Sequence, residues 1–455
     1  MNTKRCIDLT GFFCSWTIVT ILASTASIGA AEFHELRPNL TGRVLSEEGV
    51  PVNKASVFIY TAGPRQGSSP FCPSCYPDCR KRGRTQNDGA FKIEAVDPQL
   101  LFRLLIVGRG FKPVFVPRVD PFKGPVDARL GKLSHESLGP KNQLMGRVVS
   151  PSGQPVANAV VSFEFFFGDE ANCGGQCDGV DPMAVSDEDG QFLITTIKRF
   201  DWMTVTVEAQ GFAKRKFFKL PSGSPHELRL TDGATVTGRV LNGGQPTPDI
   251  TIGLVSVDRS ESFTGDFNVI TDKDGRFAFF NIPPYQVYYV YGLMDSLRKL
   301  GALPVKKVRV SADGSTKQLG DLTIEPGRSV TGRVLLSDRG AIPPGTRILL
   351  GRDDAWDTAM IELKPDGSFE FRNVPAGAVS LSVSLPGYLF SEKNRSLDKL
   401  NGGTLIGQLS DDVAGLEILL EPGHFNPPDF NSVRGLPEDN LPRNRRLQGA
   451  ESPLF

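Results

Sequence analysis

The sequence predicts an all-β protein made of four tandem antiparallel β-sandwich domains. One strand-like segment recurs four times, as NLTGRVL, QLMGRVV, ATVTGRVL and SVTGRVL. Each copy is followed by a Gly/Pro turn, a second strand-like run and a predicted Asp-Gly-x-Phe hairpin. The copies share a central glycine: Gly42, Gly146, Gly238 and Gly332. These glycines lie 92 to 104 residues apart, which suits a whole small domain and is too long for a solenoid unit.

The repeated segment has the alternation of a half-buried strand. In the third copy Val236, Gly238 and Val240 alternate with polar residues, so one set faces a core and the other faces water. Because glycine weakens a strand, we expect another chain segment or a ring to approach closely over the missing side chain. The alternating arginines are expected to face solvent in cross-strand pairs, with a basic ligand-binding ladder as the alternative. They are Arg43, Arg147, Arg239 and Arg333.

Later elements recur in the same order in each domain. Second strands are predicted at 55–60, 160–167, 251–257 and 347–351. The Asp-Gly turns precede Phe91, Phe192, Phe277 and Phe369. Further strands are predicted at 100–107, 203–208, 287–291 and 380–384, and closing strands at 128–133, 227–230, 319–324 and 416–420. Such short runs between turn residues are typical of a sandwich.

The composition fits this class. Glycine and proline number 48 and 34 among 455 residues, and they stand between short apolar runs as turn residues do. The 51 basic and 51 acidic residues cancel, which argues against a general nucleic-acid or anionic-membrane binder.

Residues 1–31 are predicted to be a secretory signal peptide. Lys4 and Arg5 precede an apolar run from Leu9 to about Ala23, and small residues up to Ala31 offer a cleavage site. A retained anchor is the alternative, although the run is short and broken by Ser and Thr. We therefore expect an exported protein, periplasmic, on the cell surface or extracellular, with no transmembrane segment in the mature chain.

The repeats place four domains between the signal peptide and a tail. The predicted boundaries are 32–139, 140–231, 232–326 and 327–423, followed by a tail at 424–455 that is predicted to be disordered. Each domain's last strand is expected within about five residues of the next domain's first strand. Such short connections favour a semi-rigid rod.

These residues resemble the carboxypeptidase regulatory-like domain, a transthyretin-like (prealbumin-like) β-sandwich also grouped with carbohydrate-binding-like folds. The family's Thr-Asp-x-Asp-Gly-x-Phe pattern is complete at Thr271–Phe277, and Ser186 replaces its Thr in the second domain. The first and fourth domains keep only its Asp-Gly-x-Phe part. The resemblance covers nearly all of residues 36–422 and implies the fold. It implies no single activity, because such modules accompany peptidases, transporters, adhesins and glycan-active proteins.

Signals for catalysis are weak in this sequence. Its four histidines occupy no matching repeat positions and have no metal-spaced partner, and neither a Gly-x-Ser-x-Gly elbow nor a phosphate loop is present. We predict no catalytic residue, no cofactor and no enzyme. Asp187-x-Asp189 and Asp272-x-Asp274 could begin calcium loops, but the distal ligands are missing, so ordinary β-turns are favoured.

The cysteines mark an inserted loop in the first two domains, between the second strand and the Asp-Gly turn. They are Cys72, Cys75 and Cys79 in the first domain and Cys173 and Cys177 in the second. Export favours disulfides, within each loop or between the two loops, and the odd number leaves one thiol over. A zinc or other thiolate site at these five cysteines is one alternative, and a redox pair at Cys72 and Cys75 is another.

The sequence favours a non-catalytic binding or scaffold protein at the cell envelope or outside the cell, acting through the cysteine-bearing loops. Its partner would be an envelope protein or a glycan, with no nucleic acid. A carbohydrate-binding module is one alternative, in which Tyr76 and Trp356 supply an exposed aromatic platform. An accessory subunit of an envelope complex or peptidase is the other. Three basic residues that could contact an anionic glycan follow the first loop: Arg80, Lys81 and Arg82.

Overall fold

The computed structural model describes most of residues 37–424 as tandem β-sandwiches, as the sequence predicts. Outside this description lie 1–36, 72, 75, 109, 133–137, 169–171, 175–176, 178, 259–266, 353, 395–397, 401–403 and 425–455. The predicted signal peptide and nearly all of the predicted tail therefore lie outside the described residues. Within the described residues, no helix is long and apolar enough to cross a membrane.

The first sandwich packs a three-stranded sheet on a four-stranded sheet. Its elements are β1 (Leu40–Ser46), β2 (Ser56–Pro64), the 3-10 turn η1 (Pro77–Arg80), β3 (Arg82–Arg84), β4 (Ala90–Ile93), β5 (Leu100–Val107), β6 (Val114–Val119) and β7 (Val126–Leu130). The sheets have the orders β4-β1-β7 and β3-β2-β5-β6. Strand β1 pairs antiparallel with β4 but parallel with β7. One parallel pair therefore stands in an otherwise antiparallel domain.

The second sandwich repeats this plan, with sheets β12-β8-β15 and β10-β9-β13-β14, in which β11 also pairs with β9. Its elements are the 3-10 turn η2 (Pro140–Asn142), β8 (Gln143–Val149), β9 (Val160–Phe167), β10 (Cys173–Gly174), β11 (Met183–Val185), β12 (Gln191–Thr195), β13 (Trp202–Glu208), β14 (Arg215–Pro221) and β15 (Pro225–Arg229).

The third sandwich has β16 between β20 and β23 in one sheet, with β17 at its end, and the order β19-β18-β21-β22 in the other. It adds a short helix, α1, that the sequence analysis did not predict. Its elements are β16 (Ala234–Asn242), β17 (Gln245–Pro246), β18 (Thr251–Ser256), β19 (Phe267–Ile270), β20 (Arg276–Ile282), β21 (Val287–Gly292), α1 (Met294–Leu297), β22 (Lys306–Arg309) and β23 (Thr316–Thr323).

The fourth sandwich has the orders β27-β24-β32-β29 and β26-β25-β28-β31-β30. Its elements are β24 (Arg328–Leu336), β25 (Arg347–Arg352), β26 (Thr358–Glu362), β27 (Ser368–Val374), β28 (Gly377–Val383), β29 (Tyr388–Phe390), β30 (Asp398–Leu400), β31 (Thr404–Leu409) and β32 (Val413–Pro422). Each sandwich has its own cluster of buried apolar side chains between its two sheets.

A glycine on the first strand of each sandwich lies opposite the phenylalanine of the Asp-Gly-x-Phe turn. The pairs are Gly42 with Phe91, Gly146 with Phe192, Gly238 with Phe277 and Gly332 with Phe369. A Cβ added to these glycines would lie between 2.5 and 3.0 Å from the ring, a distance at which something must move. In three copies the carbonyl oxygen of the parallel closing strand would lie closer still, at 2.2 to 2.3 Å. The expected close approach over the glycine is therefore confirmed for both a ring and a chain segment, and together they explain why the small residue recurs.

The Asp-Gly turn carries the chain from one sheet to the other. Its glycine has a positive φ, from 69° to 79° in the four copies, which glycine adopts without strain. Its carbonyl oxygen accepts a hydrogen bond from the first strand, through the amides of Val44, Val148, Val240 and Val334 at 2.8 to 2.9 Å. The strands on either side of the turn, such as β3 and β4, belong to different sheets. The predicted hairpin is therefore wrong, because the turn connects the two sheets of the sandwich.

The strand arginines lie at the surface, and one of the four forms the predicted cross-strand pair with a carboxylate, whereas two lie beside turn aspartates and one donates to a backbone carbonyl oxygen instead. Arg239 forms two hydrogen bonds to Asp321, at 2.9 and 2.8 Å, and the two residues are register partners. Arg333 contacts Asp366 at 3.0 Å. Exposed pairs of this kind contribute little to stability.

We predict that Gly238→Ala and Phe277→Leu are coupled. The alanine methyl would press on the Phe277 ring 2.5 Å away, so Gly238→Ala alone should destabilise the third sandwich by about 1–3 kcal/mol. The shorter leucine lacks the atoms that clash, so the double variant should lose at least about 1 kcal/mol less than the two single losses combined. Urea unfolding measures each value. Gly139→Ala is the control, because the nearest atom to its Cβ lies at 3.7 Å. Additive losses would contradict the prediction.

Candidate functional site

The cysteine-bearing loop of the first sandwich docks on the fourth sandwich. The Ser68 hydroxyl donates to the carbonyl oxygen of Ser384 at 2.5 Å, and the Arg347 amide donates to the carbonyl oxygen of Ser68 at 3.1 Å. Gly67 and Gly345 touch so closely that a Cβ on Gly67 would lie 2.1 Å from the Gly345 carbonyl oxygen. Part of the loop that was predicted to bind a partner therefore binds another domain of the same chain.

Tyr76 does not supply the exposed platform that the sequence analysis expected. Its side chain is 3% exposed and packs edge-on against Phe71, with ring centroids 4.8 Å apart. Burial raises the pKa of its hydroxyl. The physical reason is that the loop folds its aromatic residues onto the core of the first sandwich.

The basic residues that follow this loop have different environments. Lys81 forms an ion pair with the buried Asp78 at 2.7 Å and donates to the carbonyl oxygen of Ala95, so it holds the loop together. Arg82 is exposed on β3, and the side chain of Arg80 lies outside the described part of the structure. The predicted anionic-glycan contact stays a prediction for Arg80 and Arg82, whereas Lys81 has a structural role.

The loop of the second sandwich contains a disulfide between Cys173 and Cys177, with Cα atoms 6.1 Å apart. The prediction of a disulfide within a loop is confirmed for this pair, so these two cysteines are not thiolate ligands. Cys177 is buried in the core of its own sandwich. In the other loop, Cys79 lies 3.3 Å from the carbonyl oxygen of Pro73, and Cys72 and Cys75 lie outside the described residues.

The described residues contain no group of three His, Cys, Asp or Glu side chains that could hold a metal ion. The two candidate calcium loops are turns. Asp187 accepts from the amides of Asp189 and Gln191, and Asp272 accepts from those of Asp274 and Arg276 in the same way. Each first aspartate therefore closes its own turn, as the favoured interpretation predicts.

An aromatic face on the second sandwich was missed by the sequence analysis. We call it the aromatic face; it comprises Phe165, Phe167, Trp202, Phe218 and Lys219. The rings of Phe167 and Trp202 are stacked, with centroids 5.5 Å apart and planes 7° apart, and Phe165 lies 5.6 Å from Trp202. Phe167 and Phe218 are 41% and 59% exposed. The phenylalanine-rich run of β9 was a signal for it, but only the register with β13 shows which of those rings leave the core.

Trp356 lies where the third and fourth sandwiches meet. Its carbonyl oxygen accepts a hydrogen bond from the Tyr291 hydroxyl at 3.1 Å, and its side chain is 44% exposed. Ala355 packs on Val255 and Tyr291 beside it. Trp356 therefore stays a candidate for ligand contact, at a junction between domains.

This junction also buries an ion pair. Arg352 and Asp357 approach within 3.5 Å, and each side chain is 3% exposed. The Asp357 carboxylate accepts from the Met294 amide at 3.1 Å, and Met294 inserts into the core of the fourth sandwich. Burial raises the pKa of Asp357 to about 6, although the Arg352 charge and the Met294 amide oppose the rise.

At each of two junctions, the side chain of one asparagine forms hydrogen bonds towards the preceding sandwich. Asn281 donates to the carbonyl oxygens of Gly211 and Asp232 at 3.0 and 2.7 Å, and Asn373 donates to that of Arg298 at 2.8 Å. Both have a positive φ, 57° and 55°, which asparagine tolerates better than most residues. They occupy equivalent positions at the end of β20 and β27, in the repeated pattern Phe-x-Asn-apolar-Pro.

The predicted rod is wrong, because contacts between the sandwiches form a closed cycle. The first and second meet through an ion pair between Lys54 and Glu188 and around a cavity of about 270 Å³. The fourth then returns to the first through the loop described above. The linkers Leu230–Gly233 and Ile324–Gly327 are as short as predicted, but β7 ends at Leu130 and β8 begins only at Gln143, a wider separation than expected.

No protein-family model and no curated protein matches this chain. Among solved structures it is similar to the Bacillus anthracis TIE protein, with 9% identity, 84% of this chain and 73% of that chain covered and a TM-score of 0.17. A Streptococcal ancillary pilin has 11% identity, covering 62% and 99%, with a TM-score of 0.21. BcpA, the major pilin subunit of Bacillus cereus, has 10% identity, covering 62% and 99%, with a TM-score of 0.17. Similarities with such low TM-scores indicate nothing about the activity, location or partners of this chain.

We predict that Asp357 makes stability pH-dependent. Its pKa in the folded protein, about 6, exceeds the ordinary 3.8, so the folded state binds an extra proton between these values. The contribution of Asp357 to the free energy of unfolding should therefore fall as the pH rises from about 4 to about 6, by an amount of order 2–3 kcal/mol. Asp357→Asn should remove this contribution, so its unfolding free energy should have a more positive slope with pH than that of the unaltered chain, and Asp354→Asn, at an exposed position 3.9 Å from Arg352, should leave the slope unchanged. Urea unfolding across this pH range measures the slope, and an unchanged slope in Asp357→Asn would refute the assignment.

Proposed function

We propose that this chain is an exported, non-catalytic scaffold protein built from carboxypeptidase regulatory-like domains, with the domain boundaries predicted above. It acts at the cell envelope or outside the cell and presents its sandwich faces to partners in a fixed arrangement. The observation that carries this proposal is the docking of the first sandwich on the fourth. A chain that only needed to link its domains would not require contact between its first and last sandwiches.

At every junction, side chains or backbone groups of both neighbouring sandwiches contact each other. These contacts support the view that the four sandwiches form one unit. The third and fourth sandwiches share buried apolar side chains around Tyr291, and the second and third are joined by the hydrogen bond from the Asn281 side chain. Domains joined only by linkers usually move relative to one another unless their interface is large or apolar. These junctions oppose such motion, and a scaffold needs that property.

The carbohydrate-binding alternative loses one of the residues first assigned to it, because Tyr76 is buried. Trp356 remains exposed, and the aromatic face offers a second place for a glycan. The accessory-subunit alternative depends on the cysteines of the first loop and on the tail, and no contact of the described residues favours it.

We predict that Gly67→Ala opens the contact between the first and fourth sandwiches. Its methyl group would meet the Gly345 backbone, so the amide of Arg347 should exchange its hydrogen about tenfold faster or more. Hydrogen exchange followed by mass spectrometry measures the exchange rate of this amide. Small-angle X-ray scattering should show a larger radius of gyration for the variant. Gly49→Ala is a matched control, because Gly49 also has a positive φ but has no neighbour within 4 Å. Equal exchange in both variants would contradict the closed cycle.

Determining the N-terminus of the mature protein tests whether the chain is exported. Expression of the full chain in a bacterial host and sequencing of the protein from the exported fraction should give a chain that begins at or near Glu32. A positively charged residue in place of an apolar one within Leu9–Ala23 should retain the protein inside the cell, because it breaks the apolar run. An intact N-terminus in the cytosolic fraction of the unaltered chain would contradict the proposed function.

A further inference from the structure

We propose that the cavity between the first and second sandwiches binds an extended segment of a partner protein through backbone hydrogen bonds. This inference goes beyond the scaffold role and does not depend on it. The cavity has a volume of about 270 Å³, slightly below the ~300–1,000 Å³ of small-molecule pockets, so it has room for a short stretch of chain. It is lined by strands β11 and β12 of the second sandwich and by Val107, Phe111 and Pro113 of the first.

One edge of β11 faces this cavity without a partner strand. β11 pairs antiparallel with β9 and with no other described strand. The carbonyl oxygen of Pro182 accepts from a β9 amide at 3.0 Å, and the Ser186 amide donates to the carbonyl oxygen of Ala159, directly before β9, at 2.9 Å. Because bonded and non-bonded residues alternate in an antiparallel pair, the backbone groups of Met183 and Val185 point away from β9. Both residues line the cavity, so their amide and carbonyl groups are available to a ligand there.

The edge of β12 is open at the same level. Asp187 bonds to Gln191 at one end of the open stretch, and Asp181 bonds to Thr195 at the other. Leu193 lies midway between Gln191 and Thr195 and shares their orientation, because every second residue of a strand points its backbone groups the same way. Between these two closures, no hydrogen bond joins the described residues of β11 and β12, which belong to different sheets. Two strand edges therefore border one cavity.

These backbone groups favour an extended chain as the ligand. A free strand edge is a template for another strand, and main-chain hydrogen bonds supply the affinity when a strand is added to a sheet. The wall from the first sandwich is apolar and would contact the side chains of such a segment. Because the cavity lies within the junction of the first and second sandwiches, the segment would extend an interface that already exists.

The described charges around the cavity disfavour an acidic segment. Two carboxylates line it, those of Asp181 and Asp187, and none of the described lining residues is basic. Burial raises the pKa of Asp181, while hydrogen bonds from Thr195 and the charge of Lys112 oppose the rise. This lysine offsets part of the negative charge, so the charges exclude acidic side chains more than they select basic ones. The ligand class is an extended, apolar segment without acidic side chains.

The test measures binding of the full chain to the blocked peptide acetyl-Val-Thr-Val-Thr-Val-amide by calorimetry. A second peptide has the same side chains but carries a methyl group on every backbone amide, so it cannot donate hydrogen bonds. It should bind at least about tenfold more weakly than the parent peptide. A third peptide, with glutamates in place of the threonines, should bind at least about 3-fold more weakly at low salt.

A proline variant locates the site. Val185→Pro removes one outward amide of β11 and should weaken binding of the parent peptide about 5- to 10-fold. Proline is tolerated on an edge strand where the amide faces away from the sheet, and thermal unfolding checks that the variant folds. Ile270→Pro is the matched control, on edge strand β19 of the third sandwich. The amide of Thr271 donates to the carbonyl oxygen of Ile250 at 2.9 Å, so the amide of Ile270 also points outward, and its loss should leave binding unchanged.

Each outcome supports or overturns the proposal. Binding of the parent peptide that both amide methylation and Val185→Pro weaken supports it. Absence of binding at about 1 mM peptide, or equal binding of the methylated form, overturns it. Equal losses in Val185→Pro and Ile270→Pro overturn the location. A dimer of the chain that Val185→Pro dissociates would assign the edge to a second copy and overturn the partner protein. The comparison of the peptides decides the matter even where Val185→Pro does not fold.

Discussion

Each sandwich depends on the contact between a strand glycine and the phenylalanine ring opposite it. The ring occupies the space that a side chain on the first strand would need, and in three copies the carbonyl oxygen of the parallel closing strand lies in that space as well. Two residues before the ring, the turn glycine accepts a hydrogen bond from that same strand. One short motif therefore fixes the register of the first strand and marks where the chain changes sheets. A side chain on the strand glycine would clash with the ring, and one on the turn glycine would clash with a carbonyl oxygen of the first strand, and this is why both recur in all four copies.

The junctions use different contacts from the cores. Asn281 and Asn373 make the same type of contact. In each, the amide side chain of a residue with a left-handed backbone conformation donates to carbonyl oxygens towards the preceding sandwich. The first sandwich has no predecessor of this kind among the four, and its inserted loop instead reaches the fourth. Contacts made by a few residues that differ between copies thus join four similar sandwiches in a closed cycle.

The sequence predicted what is local and repeated. Alternation around Gly238, the Asp-Gly turns and the second strands all agree with the structure, because each depends on neighbouring residues along the chain. The contact of Gly67 with Gly345 joins residues far apart in sequence, and nothing near either residue indicates it. Tyr76 was assigned to the surface because its loop is polar, yet the loop returns to the core. The aromatic face depends on a shift in strand register, which alternation alone cannot show.

The most direct test of this account is native-state hydrogen exchange at the four valine amides that donate to the turn glycines, Val44, Val148, Val240 and Val334. The account predicts that these four belong to the slowest-exchanging amides of their sandwiches, because exchange there requires the first strand to leave its turn. Exchange of any of them as fast as the exposed turn amide of Gly49 would contradict it.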